Sequence, residues 1–120
     1  MDERKERGDR GEAAVADWLQ ARGCCLLERQ FRCRYGEIDL IARDREGTIC
    51  FVEVKTRSSS RFAQAREFVT EAKRRRLRAA ASAYLAREGL GEAACRFDVA
   101  EVYPDGGWDR PRINYIISAF

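Results

Sequence analysis

Apolar residues along the chain fall into seven patterned segments. From Gly8 to Ala21, Val15, Trp18, Leu19 and Arg22 follow the three-and-four spacing of one helical face, and Glu12 lies seven residues before Leu19 on nearly the same face. Gly23 is a natural helix terminator. Cys24 to Glu28 reads as a short strand. Gly36 to Asp44 and Thr48 to Lys55 read as the two strands of a hairpin. Ile38, Leu40 and Ala42 are expected on one face of the first strand, and Cys50, Val52 and Val54 on one face of the second. Ile41, Ile49 and Phe51 occupy the other face, so the pair is expected to be covered on both sides.

Ser58-Ser59-Ser60 reads as a polar, mobile loop. A second helix is expected from Thr70, as N-cap, to Arg87, with Leu77, Ala81, Tyr84 and Leu85 as its apolar stripe and Gly89 and Gly91 after it. Cys95 to Tyr103 is a strand, Pro104-Asp105-Gly106-Gly107 a turn, and Arg112 to Ala119 a last strand with Ile113, Tyr115 and Ile117 alternating. No internal repeat and no inter-domain linker is visible. This order predicts one α/β or α+β domain, a mixed sheet flanked by helices.

The 120-residue length fits one domain with a core of its own, and the 45% apolar content fits a globular one. No apolar run approaches the roughly 18 to 20 residues of a membrane helix. The charged start, Met1 to Arg7, leads into no apolar segment, so a cytoplasmic protein is expected. There is no histidine, which removes Ser-His-Asp and Cys-His mechanisms. The five cysteines include no C-x-x-C pair, which argues against zinc and for reduced, mostly buried thiols. Any proton chemistry must come from carboxylates, lysine, tyrosine or metal-bound water.

The informative stretch is Gly36-Glu37-Ile38-Asp39-Leu40-Ile41, followed by Phe51-Val52-Glu53-Val54-Lys55. If Arg45-Glu46-Gly47 forms a three-residue loop with Gly47 left-handed, Asp44 pairs with Thr48. Counting back, Asp39 faces Glu53 and Glu37 faces Lys55, with Cβ atoms about 4.5–5.5 Å apart. Opposed carboxylates on a covered sheet repel, and a divalent cation is the natural compensation. Mg²⁺, which takes one or two carboxylates plus water and phosphate oxygens, suits the pair. Lys55 would stand beside it, placed to orient a water for attack on a phosphodiester. The other reading of these charges is solvated or structural ion pairs. A one-residue slip would send Asp39 and Glu53 to opposite faces, so the proposal requires an odd loop or a bulge.

With these motifs in view, the chain resembles the YraN family of bacterial proteins, grouped with the PD-(D/E)xK nuclease superfamily near the archaeal Holliday-junction resolvases. The likeness rests on Gly36 to Ile41 and on Phe51 to Arg57. It extends to Gly8 with Gly11-Glu12-Ala13, to Val69-Thr70 with Lys73, to Arg96-Phe97-Asp98-Val99 and to Ser118-Ala119-Phe120. It implies a restriction-endonuclease-like fold, a central mixed β-sheet flanked by α-helices. It also implies Asp39, Glu53 and Glu12 as metal ligands for Mg²⁺, or Mn²⁺ in its place, and Lys55 as the signature lysine. Glu12 could equally be an acid stabilised by its helix dipole. Gln30 stands where the family usually has Asn, and Ala63 where Gly often follows the aromatic Phe62.

The net charge is only +3, but basic residues cluster between Lys55 and Arg78. Arg57 and Arg61 follow the catalytic strand, and Lys73, Arg74, Arg75, Arg76 and Arg78 open the second helix. These are candidate phosphate contacts, although for any single arginine a solvated helix face is the simpler account. Basic residues in a helix's first turn oppose its dipole, which mildly favours a binding role. Trp18 fits the core; Trp108, in a loop, could be a base-stacking platform or not. No base-reading module is present, so branched or single-stranded DNA is the expected partner. The resolvase likeness leaves room for a homodimer. The expectation is a Mg²⁺-dependent, structure-selective DNA endonuclease. The alternatives are a catalytically inactive nucleic-acid-binding module and a protein-interaction subunit.

Overall fold

The computed structural model describes residues 3–57 and 70–120. The described residues form helix α1 (Glu3–Ala21), strands β1 (Cys25–Cys33), β2 (Gly36–Arg43) and β3 (Ile49–Thr56), helix α2 (Glu71–Arg87) and strands β4 (Cys95–Tyr103) and β5 (Arg112–Ile116). The strands lie side by side in chain order, β1 to β5. Only the β3–β4 pair is parallel; the other three pairs are antiparallel. A parallel neighbour requires a crossover, and the connection from β3 to β4 contains α2. This is the α/β, restriction-endonuclease-like architecture, a mixed sheet flanked by α-helices.

α1 begins at Glu3, earlier than the apolar pattern indicates. Its first two turns are held by charge. Lys5 pairs with Asp9 at 2.9 Å and Arg10 with Glu6 at 3.2 Å, both four residues apart. Glu3 and Glu6 also suit the positive helix start. β1 likewise runs beyond Glu28, to Cys33, whereas β5 stops at Ile116. Beyond it Ser118 donates its N–H to Asp98 and Ala119 its N–H to the Phe97 carbonyl.

Each face of the sheet carries its own core. On one side Val15, Ala16 and Leu19 of α1 pack on Leu40, Ala42, Cys50, Val52, Ala100 and Val102. On the other, Leu77, Ala80, Ala81 and Tyr84 of α2 pack on Phe31, Ile38, Ile41, Ile49 and Phe51. The hairpin is therefore covered on both sides, as its composition requires. Ile38 departs from the expected alternation: it lies in the α2-side core with Ile41, not beside Leu40 and Ala42. The cause is a break in the ladder one residue away, at Asp39.

The turn end of the hairpin is locked by a buried polar network. Asp98 is fully buried and accepts from Arg96 Nε (3.1 and 3.0 Å), the Tyr115 hydroxyl (2.7 Å) and the Ser118 N–H (2.9 Å). Arg96 also reaches Asp44 at 2.8 Å, and Asp44 accepts the N–H groups of Glu46 and Thr48. A carboxylate this deep is tolerable because both its oxygens are satisfied. No helix among the described residues is long and apolar enough to cross a membrane.

Candidate active site

The site begins where β2 and β3 part. Their ladder runs from Arg43↔Ile49 to Leu40↔Val52, the register expected from a three-residue loop, with Gly47 at φ +89°. At the next step the side chain of Asp39 takes over from the backbone. Its Oδ2 accepts the Val54 N–H at 2.8 Å. On the other flank Gln30 adopts φ +52°, between the pairs Arg29↔Leu40 and Phe31↔Ile38. Asp39 thus sits where both neighbouring ladders are interrupted, and this reverses the facing of Ile38. The expected pairing of Glu37 with Lys55 is not formed; Glu37 instead meets Arg32 at 3.3 Å across β1.

Left-handed backbone suits Asn better than Gln. Here the longer side chain has its own use. Gln30 Nε2 donates to Glu12 Oε1 at 3.1 Å and to Asp9 Oδ1 at 3.3 Å, tying β1 to α1. Glu12 is buried, and burial raises its pKa against the lowering effect of the Gln30 contact.

Glu53 is also buried. Its Oε1 receives Lys73 Nζ at 3.0 Å and Lys55 Nζ at 3.6 Å. Lys73 enters from the first turn of α2, where Thr70 caps the helix by accepting the Lys73 N–H. Asp39 feels the opposite environment. Burial, followed by the negative charge of Glu53, pushes its pKa from 3.8 to about 7; the Val54 N–H opposes this, and Glu12 and Glu37 add to it. The site therefore combines an electronegative spot at Asp39 with an ammonium-rich spot at Glu53.

A cleft of about 300 Å³ opens along α1, lined by Arg4, Arg7, Gly8, Glu12, Asp39, Val54 and Thr56. α1 lies against β3 here, and a Cβ on Gly11 would overlap Thr56 Oγ1. Gly11 thus leaves room for the Thr56 hydroxyl where helix and strand approach closely.

The structure brings Asp39, Glu53, Lys55 and Lys73 to one end of the β2–β3 pair, with Glu12 lining the cleft beside Asp39. It does not gather Glu12 with them into a cage: among the described residues, no three Asp, Glu, Cys or His side chains are grouped to hold a metal ion. Arg57, just after β3, turns toward β4. Its guanidinium is largely buried and donates to Glu101 at 3.2 Å, while Asn114 donates to the other Glu101 oxygen at 2.9 Å. To contact a phosphate, Arg57 would have to leave this ion pair.

Arg74 lies over the Phe120 ring at 5.6 Å, and Arg75, Arg76 and Arg78 are exposed along α2. Arg61, the Ser58-Ser59-Ser60 loop, Ala63 and Val69 lie outside the described residues. Trp18 stacks on Tyr115 with ring centroids 4.8 Å apart, a core contact. Trp108 packs at the margin of the α1-side core, with Arg10 over its ring at 5.9 Å. Sequence reasoning assigned no role to Glu101 or Asn114; their only signal is an acid and an amide on strand positions that turn out to be paired, Glu101↔Asn114.

Comparison with known proteins finds close relatives along nearly the whole chain. A UPF0102 protein of Symbiobacterium thermophilum is 50% identical over 113 residues, covering 94% of each chain. One from Ralstonia pickettii is 45% identical over 116 residues, covering 94% of this chain and 88% of its own. One from Clostridioides difficile is 41% identical over 116 residues, covering 97% of each. The family model matches residues 11–102, a span that holds Glu12, Asp39, Glu53, Lys55 and Lys73 together, and the chain belongs to the uncharacterised protein family UPF0102.

Proposed function

We propose that the chain is a divalent-metal-dependent endonuclease that hydrolyses phosphodiester bonds in DNA, selecting branched or single-stranded structure over base sequence. The observation that carries this reading is Asp39: a half-buried carboxylate, fixed by the Val54 N–H and pressed by the charge of Glu53. A fold keeps such repulsion where a cation or proton relieves it.

The donor chemistry fits a hard cation. Asp39 and Glu53 offer carboxylate oxygens only, and Mg²⁺ binds through one or two carboxylates, with water and phosphate oxygens completing its shell. Asp39 and Glu53 would hold it, and Glu12 would act from the cleft wall. When bound, Mg²⁺ or Mn²⁺ supplies Lewis acidity toward a phosphoryl oxygen and makes water more acidic. Lys55, beside Glu53, would orient the attacking water and offset charge on the phosphate. The exposed Arg75, Arg76 and Arg78 would hold flanking phosphates, which fixes position without reading bases.

One observation favours a second reading, a nucleic-acid-binding module without turnover. Glu53 already holds two ammonium groups, and no three-carboxylate cage is formed among the described residues. Incubation of the purified protein with branched, single-stranded and duplex DNA, in Mg²⁺, Mn²⁺ or EDTA, separates the two. The nuclease reading expects metal-dependent cleavage that falls about 100-fold or more in each of Asp39→Ala, Glu53→Ala and Lys55→Ala. Cleavage that persists in all three variants, or binding without cleavage under any metal, rejects it.

A further inference from the structure

Two lysines from different elements share one oxygen of Glu53. Lys55 Nζ lies 3.6 Å and Lys73 Nζ 3.0 Å from Oε1. A nearly buried carboxylate needs such compensation. A divalent cation on the same oxygen would face both ammonium charges, so at least one must withdraw.

The two lysines are not equally able to do so. Lys55 stands on β3 itself, two residues from Glu53, inside the parallel pairing with β4, where it is the partner of Glu101. Its side chain is 20% exposed. Lys73 comes from the first turn of α2 with a side chain 36% exposed. A cation there opposes the helix dipole, so Glu53, not the helix, is what holds the ammonium in place. The helix cap uses the backbone N–H of Lys73 and the Thr70 hydroxyl. The side chain can therefore swing away with the cap intact.

We propose that Lys73 is an exchangeable counter-ion. It neutralises Glu53 while no divalent cation is present, is displaced when one binds, and then contacts a phosphate of the nucleic acid. This rests on the metal-dependent reading above and adds order to it: metal arrival frees a phosphate-binding group.

The test is Mn²⁺ binding by titration calorimetry to the full chain, as wild type, Lys73→Met, Lys73→Gln, Lys73→Arg and Asp39→Ala, with thermal melting to verify folding. Lys73→Met and Lys73→Gln are expected to bind Mn²⁺ about tenfold tighter than wild type, and Lys73→Arg to resemble wild type. A labelled single-stranded oligonucleotide gives the second readout. Loss of Lys73 should weaken its binding in Ca²⁺ but leave binding in EDTA unchanged. Equal or weaker Mn²⁺ binding in both neutral variants overturns the exchange. The underlying reading fails separately, if Asp39→Ala binds Mn²⁺ as wild type does. Tighter binding in the neutral variants, with no cleavage by wild type, keeps the exchange and rejects the nuclease.

Discussion

Val54 gives its backbone N–H to the side chain of Asp39, at 2.8 Å, at the point where the β2–β3 ladder stops. The carboxylate therefore does a strand's work, and in return the strand fixes its orientation. Charge state and local structure are coupled at this position.

That coupling has a pH signature. Asp39 ionises near 3.8 in an unfolded chain and near 7 in the fold. Between those values the native state keeps a proton that the unfolded state has lost. Stability from this group is present at about pH 4, declines as pH rises toward 7, and stays lost above it. Asp39→Asn keeps an acceptor for the Val54 N–H without the charge. It is expected to raise the melting temperature at pH 8 and change it little at pH 4. At about 1.4 kcal/mol per pH unit the gain is bounded at about 4 kcal/mol. Equal effects at both pH values would show that Asp39 is not held in a raised-pKa state.

Gly11→Ala offers a sign reversal. In an open helix the change would gain about 1 kcal/mol. Against Thr56 Oγ1 the new methyl has no room, so a loss of about 1–3 kcal/mol is expected from overpacking. In a Thr56→Ala background the same substitution should stabilise. Chemical denaturation of the four proteins in this cycle measures the coupling.

The basic residues should separate into two classes. Replacing Arg75, Arg76 or Arg78 with Ala is expected to leave stability nearly unchanged. Each replacement should weaken nucleic-acid binding and flatten the plot of log affinity against log salt by about 0.7–0.9 for every phosphate no longer neutralised. Arg57→Ala should instead cost about 3 kcal/mol, because it leaves buried Glu101 without its counter-charge, with only the neutral Asn114 amide still donating to it. Fluorescence anisotropy against salt, alongside urea melts, distinguishes the classes; a stable Arg57→Ala with weakened binding would return Arg57 to the interface.

Asp98 is expected to be structural. Asp98→Ala leaves Arg96, Tyr115 and Ser118 without their acceptor and should cost about 3–5 kcal/mol, whereas Tyr115→Phe removes one charge-assisted bond and should cost about 1.5–3 kcal/mol. Thermal melts of both variants check the order.

Much of the fold is legible from residue pattern because the hairpin obeys simple geometry. Asp44 bonds Thr48 at 3.0 Å and Gly47 is left-handed, so counting back from the loop reproduces the ladder as far as Leu40↔Val52, one step before Asp39 and Glu53. Apolar alternation also locates both cores and the N-cap Thr70. It cannot see the charged start of α1, whose turns rest on ion pairs and not on a buried stripe. Nor can alternation foresee the left-handed Gln30, which interrupts one ladder and turns Ile38 to the other face. The setting of Arg57 is hidden for a related reason: its partner Glu101, and the Asn114 that also bonds Glu101, lie far along the chain, and only the sheet order β3-β4-β5 assembles them. Lys73 is visible as a basic residue, but its attachment to Glu53 depends on how α2 sits over the strands.

The network centred on Asp98 has a wider consequence. It rivets the loop end of the hairpin to β4 and to the segment after β5, so the fold's integrity is secured away from Asp39 and Glu53. The opposite end can then carry repulsion, a broken ladder and two lysines on one carboxylate without endangering the whole. Substitutions that retune the chemistry should accordingly be easier to tolerate there than changes of the same size at the riveted end.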